Sequence, residues 1–295
     1  MGEKPTVGCI GQGFVGTAYA DAIEDRGFTV VRYARSEPHV QNGERIKERD
    51  VVLIAVPTPT VPVRSSESEG GQPSTKFDDS VLREVLGLVG EGKVAVIKST
   101  VLPGTTEALQ EAFPDIFVLH SPEFLRGLGQ RAAEDARHPS RTVIGLPRDT
   151  DAYRAHAQTL LGILPKAPIE IVCSAREAEL IKYAANSFLA TKVVYCNLIH
   201  DLAGALGARY EVVRDGIVAD PRIGASHTDI VANGGRGAGG PCFIKDFAAL
   251  RAFYAAVLPE DERGRAVLET LEQKNLELLK GSGKDLDLLR GVYGR

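Results

Sequence analysis

A glycine-rich turn between a short apolar strand and a helix constrains this chain more than any other feature. Residues 6–10 are mostly apolar and are followed by Gly11-Gln-Gly13-Phe14-Val15-Gly16, after which small and apolar residues recur at helical spacing. This order places the pyrophosphate of a dinucleotide at the N-terminus of a helix. The alternative is a tight turn without a ligand, but a GxGxxG motif bracketed by a strand and a helix favours the dinucleotide. The predicted cofactor-binding residues of this turn are Gly11, Gly13, Phe14, Val15 and Gly16.

The pattern of apolar segments predicts the α/β fold class. Aliphatic runs typical of parallel strands that are covered on both faces follow at residues 50–56, 93–97, 116–119 and 141–145. We expect a doubly wound parallel sheet, Rossmann-like, over residues 1–174 and a mostly helical domain over residues 175–295.

The second domain is expected to be built on a long connecting helix. Residues 175–205 are helical in character, with no Gly or Pro before Gly204. A helix of about 30 residues is roughly 45 Å long, which is too long for one small domain. It is therefore expected to link the domains or to form a homodimer interface.

The residues after the second strand bear on the choice between NAD and NADP. Residues 28–33 are followed by Ala34-Arg35-Ser36, where an NAD-binding protein usually has Asp or Glu to accept from the adenosine ribose. Arg35 and Ser36 are hydrogen-bond donors, which suits a 2′-phosphate and favours NADP. The alternative is that Arg35 is a solvated loop residue and that Glu37 contacts the ribose.

Turns at the carboxyl ends of parallel strands bind ligands in open sheets. Pro57 and Thr58 follow the third strand and Ser99 and Thr100 follow the fourth, so all four are candidate cofactor-binding residues. Ser99 and Thr100 would contact the nicotinamide or the substrate, with helix capping as the alternative. The polar stretch 61–76 is rich in Ser, Glu, Gly and Pro and is predicted to be a mobile surface loop, with a lid as one use.

The stretch 233–246 predicts a reactive cysteine at a helix entrance. It has five glycines in eight positions before Cys242, and helix-forming residues after it. The positive end of the helix dipole and Lys245 would both favour the nucleophilic thiolate of Cys242. Asp246 follows four residues later and would share its helix face. The alternative is a buried and inert cysteine.

Three further polar residues are candidates for the site. Glu123 lies at the carboxyl end of a predicted strand, and Lys182 and Asn186 lie one turn apart on the long helix. Facing a cleft, Lys182 and Asn186 would present two donors that suit a developing oxyanion. A solvated lysine and a capping-type asparagine are the alternative.

Composition argues against several classes of partner. The chain of 295 residues has a formal net charge of −4 and no broad basic surface, so nucleic acid is not an expected partner. No apolar run reaches membrane-spanning length, and the amino terminus carries no apolar signal region. The four cysteines are far apart without metal-ligand spacing, so no metal and a reducing cytoplasm are expected: Cys9, Cys173, Cys196 and Cys242.

Together these segments resemble the UDP-glucose/GDP-mannose dehydrogenase family. The resemblance runs from about residue 6 to residue 279 and rests on seven motifs in order: Gly11-x-Gly13-x-x-Gly16, Val56-Pro-Thr-Pro59, Lys98-Ser-Thr-Val101, Ser121-Pro-Glu-Phe-Leu125, Glu179-Leu-Ile-Lys182 with Asn186, Asp220-Pro-Arg-Ile-Gly224 and Gly239-Gly-Pro-Cys-Phe-Ile-Lys-Asp246. The last motif is highly specific.

The resemblance implies an NAD(P)-dependent, four-electron oxidation of a primary alcohol to a carboxylate through a thioester on Cys242. It implies that Lys182 and Asn186 stabilise the oxyanion, that Asp246 orients or deprotonates a water or alcohol, and that Thr100 and Glu123 assist proton transfer or water positioning. The substrate-binding residues that it implies are Glu123, Phe124, Leu125, Lys182, Arg222, Gly239 and Lys245. Arg222 would reach a bound substrate, with contact across a homodimer as one option.

The chain departs from the family pattern in three places. Gly127 stands where a second glutamate is common, which bears on thioester hydrolysis, and the ribose-reading acid is absent. The sequence ends at Arg295, so the third, nucleotide-sugar-binding domain of the family is expected to be missing, and a substrate smaller than a nucleotide sugar becomes an option. Two alternatives stay open: a two-electron β-hydroxyacid-type dehydrogenase and a non-catalytic binding or assembly module.

Overall fold

The computed structural model describes residues 4–62, 75–127 and 129–294. The chain divides into two compact units, one formed by Met1–Thr58 with Asp78–Lys182 and the other by Pro59–Phe77 with Tyr183–Arg295.

Strands and helices alternate through the first half of the chain, and helices dominate the second half. The strands are β1 (Val7–Ile10), β2 (Val30–Tyr33), β3 (Val51–Ile54), β4 (Thr60–Pro62), β5 (Thr75–Phe77), β6 (Val94–Ile97), β7 (Phe117–His120), β8 (Thr142–Leu146) and β9 (Glu170–Ser174). The α-helices are α1 (Phe14–Asp25), α2 (Gly43–Lys47), α3 (Ser80–Leu86), α4 (Thr105–Ala112), α5 (Gln130–Arg137), α6 (Asp151–Ile163), α7 (Ala175–Ala205), α8 (Tyr210–Val218), α9 (Gly240–Val257), α10 (Glu262–Gly281) and α11 (Leu286–Tyr293).

The first unit is built on a seven-stranded sheet in the order β2-β1-β3-β6-β7-β8-β9. Its central strands β1, β3 and β6 are buried at every position, as their aliphatic composition predicts for parallel strands covered on both faces. Every neighbouring pair is parallel except β7 and β8, which meet antiparallel at His120 and Gly145. The predicted Rossmann-like fold class is confirmed, with this one antiparallel junction as an addition.

Strand β9 was not predicted from the sequence. It pairs with β8 along its whole length, but it forms the edge of the sheet, and Ile171 and Val172 are each 37% exposed. An edge strand packs on fewer neighbours, so its sequence carries neither the continuous apolar run of a central strand nor a clean alternation.

The long helix α7 agrees with its predicted bounds. It runs through 31 residues, from Ala175 to Ala205, and the division between the two compact units falls within it, after Lys182. Within the described ranges, no helix combines the length and apolar character that crossing a membrane requires.

The second unit contains a two-stranded antiparallel ribbon formed by β4 and β5. The prediction of a loop over 61–76 was therefore wrong at both ends, because Val61 and Lys76 pair with each other in this ribbon. Three residues of pairing on each side do not give a periodic pattern that sequence reasoning can detect. The predicted lid centres on residues 63–74, which lie outside the described residues.

Helices α9, α10 and α11 share a small core in the second unit. Its buried members are Ile244, Ala248, Leu279, Leu289 and Val292. Helix α9 begins at Gly240, so that Cys242 lies in its first turn, at the helix entrance that the sequence predicts. A proline in the first turn is compatible with this start, because its missing N–H has no partner to lose there.

Candidate active site

The glycine turn of the first unit has the shape that a dinucleotide requires. Gly11 has φ of +88°, and a Cβ atom at Gly11 or at Gly16 would overlap the carbonyl oxygen of Ala55 or of Gly11, respectively. A Cβ atom at Gly13 would meet nothing within 4 Å, so the N-terminus of α1 is open to close approach. The turn therefore fits a pyrophosphate held by backbone N–H groups, with Phe14 and Val15 in the first helical turn.

The predicted phosphate-reading residues follow β2 and are exposed. The guanidinium of Arg35 forms an ion pair with the carboxylate of Glu84 on α3, and both side chains are more than half exposed. Ser36 is also exposed. A carboxylate thus lies beside the arginine that the sequence assigned to a 2′-phosphate.

The turns after β3 and β6 are joined by hydrogen bonds. The hydroxyl of Ser99 donates to the carbonyl oxygen of Val56 at 2.7 Å and accepts from its N–H at 3.0 Å. The hydroxyl of Thr58 donates to the carbonyl oxygen of Thr100 at 2.7 Å. Four predicted residues, Pro57, Thr58, Ser99 and Thr100, therefore lie together at one edge of the sheet, which is where open parallel sheets bind ligands.

A buried ion pair joins two of the predicted catalytic residues in the first unit. The ammonium of Lys182 lies 2.7 Å from Oε1 of Glu123 and 2.8 Å from the backbone carbonyl oxygen of the same residue. Both side chains are less than 10% exposed. The other carboxylate oxygen of Glu123 accepts from the N–H of Leu125 at 2.7 Å, which fixes the carboxylate. The Phe124 ring carries the Arg141 guanidinium 3.7 Å from its centre.

Lys98 lies in the same unit and was not singled out by sequence reasoning. It is 2% exposed, and its ammonium donates to the hydroxyl of Ser121 at 3.2 Å and lies 3.9 Å from the centre of the Tyr19 ring. Burial lowers the pKa of Lys98 to about 7, although the nearby carboxylate of Glu123 opposes the shift. A charged residue directly after the four buried residues of β6 was the signal in the sequence.

Glu179 is a second buried residue whose role the sequence did not disclose. Its carboxylate accepts from the N–H of Gly104 at 2.6 Å and from the N–H and hydroxyl of Thr106 at 2.8 and 2.6 Å. These donors belong to the first turn of α4 and its N-cap, so Glu179 ties α7 to the N-terminus of α4. Its position three residues before Lys182 was the available signal.

The second unit places the cysteine in the first turn of α9. Gly239 is the N-cap, and Cys242 is half-buried. Asp246 follows one turn later, is fully buried, and accepts from the amide nitrogen of Asn186 at 2.6 Å. The ammonium of Lys245 lies 2.5 Å from the other oxygen of Asp246. Cys242 and Asp246 share a helix face, and Asn186 and Lys245 are brought to the same carboxylate.

Arg222, a predicted substrate-binding residue of this unit, pairs with a residue two positions before it in the sequence. Its guanidinium forms an ion pair with Asp220 at 2.5 Å, and its side chain is 87% exposed.

In the first unit, Gly127 has φ of +68°, a conformation that a glutamate would adopt only with strain.

Two domain models of one family match most of the chain. Residues 39–160 match the NAD binding domain of the UDP-glucose/GDP-mannose dehydrogenase family, and residues 176–275 match the central domain of the same family. The chain belongs to this family. The match to the family's NAD binding domain supports NAD as the cofactor.

Individual relatives agree with the family assignment. The UDP-glucose 6-dehydrogenase of Rhizobium meliloti strain 1021 is 36% identical over 209 residues, which cover 68% of this chain and 45% of that protein. A UDP-glucose dehydrogenase from the archaeon Pyrobaculum islandicum has a similar structure, with a TM-score of 0.76, 27% identity, and coverage of 93% of this chain and 68% of that chain.

The 3-hydroxyisobutyrate dehydrogenase of Mycobacterium tuberculosis shares the fold, with a TM-score of 0.67 at 13% identity over 95% of both chains. The chain spans about half the length of the curated relatives that it matches.

Proposed function

We propose that the protein oxidises a primary alcohol to a carboxylate with NAD, through a thioester on Cys242. The substrate is a nucleotide sugar or a smaller nucleotide-like or sugar-phosphate-like alcohol. The observation that carries this proposal is the first turn of α9, where Cys242 shares a helix face with a fully buried Asp246 that is held by Asn186 and Lys245. The names of the relatives, several of them UDP-glucose 6-dehydrogenases, support the substrate class.

The proposed reaction has two oxidation steps. The alcohol carbon first loses a hydride and its oxygen a proton, which gives an aldehyde. The Cys242 thiolate then forms a C–S bond to the aldehyde carbon, and the carbonyl electron pair moves to the oxygen. Loss of a second hydride from that carbon leaves a thioester. NAD, when bound, supplies the hydride acceptor for both steps.

Hydrolysis completes the proposed reaction. A water oxygen bonds to the thioester carbon, the C–S bond breaks, and the thiolate of Cys242 is restored as the carboxylate leaves. One alcohol, one water and two oxidised cofactors thus give one carboxylate, two reduced cofactors and three protons. Covalent capture keeps the aldehyde from escaping between the two oxidations.

The second unit would stabilise the charge that develops on oxygen. Asn186 donates one amide N–H to Asp246, which orients the amide and leaves a second N–H for the oxyanion. Asp246 would orient or deprotonate the water or the alcohol. Lys245 would bind substrate, as would the backbone at Gly239.

Three polar residues of the first unit are also assigned roles. We assign Lys182 to the oxyanion and to substrate binding, and Glu123 with Thr100 to water positioning or proton transfer. Phe124 and Leu125 would contact the substrate. The short, buried contact between Lys182 and Glu123 supports these roles, because each charge is held in one position by the other.

The preference for NADP that Arg35 and Ser36 predict stays a prediction. If Arg35 binds a 2′-phosphate, its guanidinium must either break its ion pair with Glu84 or contact both the phosphate and that carboxylate. Glu84→Gln would remove that competition, so NADP binding should strengthen while NAD binding is unchanged. Equal affinities in the variant and the wild type would show that Arg35 does not contact the cofactor.

A homodimer through α7 is the proposed assembly. Within the second unit α7 exposes four large apolar side chains at helical spacing: Phe188 (69%), Tyr195 (57%), Leu198 (44%) and Leu202 (55%). An apolar stripe of this kind marks an interaction surface on a globular protein. We propose that the same helix of a second copy covers it, and that Arg222 acts across this interface.

The test is the number of cofactor molecules reduced per substrate molecule consumed. Nucleotide sugars, sugar phosphates and nucleoside monophosphates would be supplied in turn, each with NAD and with NADP. Cys242→Ala is the test variant, and Cys173→Ala is the control because Cys173 is the other half-buried cysteine. Two reduced cofactors per substrate, lost only in Cys242→Ala, would support the thioester route.

Two other results would contradict the proposal. One reduced cofactor per substrate, unaffected by Cys242→Ala, would indicate a two-electron dehydrogenase of the β-hydroxyacid type. Cofactor binding without turnover of any alcohol would indicate a binding or assembly module.

A further inference from the structure

The turn between α10 and α11 holds the glycine loop that leads to Cys242. Lys284 donates to the carbonyl oxygen of Gly237 at 2.9 Å, and the hydroxyl of Ser282 accepts from the N–H of Arg236 at 2.9 Å. This whole turn and all of α11 follow residue 275, where the match to the family's central domain ends. The loop before the cysteine is therefore shaped by a part of the chain that the family match does not cover.

Among these contacts of the turn, the one made by Asp285 involves the residue closest in sequence to Cys242. Its carboxylate accepts from the N–H of Gly240 at 2.7 Å, and Gly240 is the first residue of α9, two positions before Cys242. Asp285 also occupies the N-cap position of α11, where aspartate usually accepts from the N–H groups of its own helix. No such side-chain bond is made to α11, so the carboxylate is committed to α9 instead.

The backbone of Asp285 is in an uncommon conformation that permits this contact. Its φ is +55° and its ψ is +31°, in the left-handed region that aspartate and asparagine tolerate better than most residues. The approach is close, because a Cβ atom at Gly239 would overlap the Asp285 carboxylate. The glycine of the loop and the left-handed aspartate of the turn thus fit one another.

The carboxylate also changes the electrostatics of the first turn of α9. The N-terminus of a helix favours negative charge, including a thiolate, and a carboxylate placed there uses part of that potential. Charged side chains near this turn include Lys284, on which the Asp285 carboxylate acts, and α9 itself carries Lys245 and Asp246, which pair with each other. Asp285 therefore opposes ionisation of Cys242, whereas the helix dipole and the two lysines favour it.

We propose that Asp285 is a positioning residue for Cys242, holding the first turn of α9 in place and setting the balance between thiol and thiolate. This inference rests on the proposed function, in which Cys242 is the nucleophile. It assigns a role in that chemistry to a residue outside the seven family motifs.

The experiment measures how fast Cys242 reacts with iodoacetamide as a function of pH, in the protein without substrate. The extent of alkylation is quantified on the Cys242 peptide by mass spectrometry, so that the other cysteines do not contribute. Asp285→Asn keeps an acceptor oxygen and the left-handed backbone but removes the charge. Asp287→Asn is the matched control, because it removes the same charge from the first turn of α11 on a side chain that pairs with Arg290 and not with α9.

Removing the Asp285 charge should move the alkylation profile of Cys242 to lower pH. A helix-terminus charge effect of the usual size corresponds to about 0.2–0.7 pH unit, or a rate about two- to fivefold faster below the midpoint. Asp287→Asn should superimpose on the wild type. Asp285→Gly, which suits a φ of +55° and removes both the charge and the bond, should show the same shift together with a lower melting temperature.

A profile for Asp285→Asn that superimposes on the wild type, or moves to higher pH, would overturn the inference. Because alkylation needs no turnover, the result separates the two ideas. A shift in a protein that oxidises no alcohol would leave the positioning role standing while the proposed reaction fails. Turnover through Cys242 without a shift in the alkylation profile would support the proposed reaction and exclude the positioning role of Asp285.

Discussion

The buried pair of Lys182 and Glu123 can be tested by a double-mutant cycle. Lys182→Met removes the ammonium and leaves a carboxylate that is 8% exposed without its countercharge. Breaking a buried pair in this way costs about 3–5 kcal/mol of unfolding free energy. Glu123→Gln keeps the 2.8 Å bond from Lys182 to the backbone carbonyl and offers an amide oxygen in place of the carboxylate. A cost of about 1.5–3 kcal/mol is expected for that variant.

The double variant should cost less than the two single variants together. Once both charges are gone, neither member of this pair is left buried without the other, so the coupling energy should reach about 1–3 kcal/mol. Because the chain has no tryptophan, urea unfolding would be followed by circular dichroism. Lys166→Met is the control, since Lys166 forms an ion pair with Glu170 at 2.5 Å but its side chain is 78% exposed. That variant should change stability by less than about 1 kcal/mol.

Additive single costs would refute the argument that the two charges stabilise one another. A cost for Lys182→Met no larger than that of Lys166→Met would refute it equally. The cycle also separates stability from catalysis, because Glu123→Gln should lose turnover while most of the protein stays folded at 25 °C.

Three further perturbations test other parts of the structure. Gly13→Val should change the melting temperature by no more than a few degrees and weaken NAD binding at least tenfold by calorimetry, because a Cβ atom there meets nothing in the protein but fills the approach of the dinucleotide. Gly16→Val, whose side chain would overlap the carbonyl oxygen of Gly11, should instead unfold the protein. Equal effects of the two variants on folding would contradict this account of the turn. Burial lowers the pKa of Lys98 to about 7, so between pH 7 and about 10.5 the unfolded chain binds a proton that the folded one does not, and wild-type stability should rise with pH across that window. Lys98→Met should lack this rise in urea titrations, and a parallel pH dependence in both proteins would refute it. Phe188→Glu should convert a dimer to a monomer in sedimentation. Val267→Glu should not, although Val267 is also an apolar residue and is 57% exposed on α10. An unchanged sedimentation coefficient for Phe188→Glu would exclude α7 as the interface.

Much of the fold was predictable because its signals are local. The glycine turn at Gly11 needs one φ-positive residue and the start of a helix within a few positions, and both are visible in sequence. The same is true of α7, whose 31 residues lack any helix breaker before Gly204. Strand β9 and the ribbon of β4 and β5 were missed because each is stabilised by pairing with a segment elsewhere and carries little periodicity of its own.

The sequence by itself determined which residues are the candidates for the chemistry of this protein: a cysteine behind a glycine loop, a carboxylate one turn later, and a lysine and an asparagine on the long helix. Only the tertiary structure decided which of them meet. Glu123 and Lys182 are 59 residues apart and Gly240 and Asp285 are 45 apart, yet each pair is in direct contact. The physical reason is that helix starts and glycine turns depend on neighbouring residues, whereas a buried ion pair depends on how the whole chain packs.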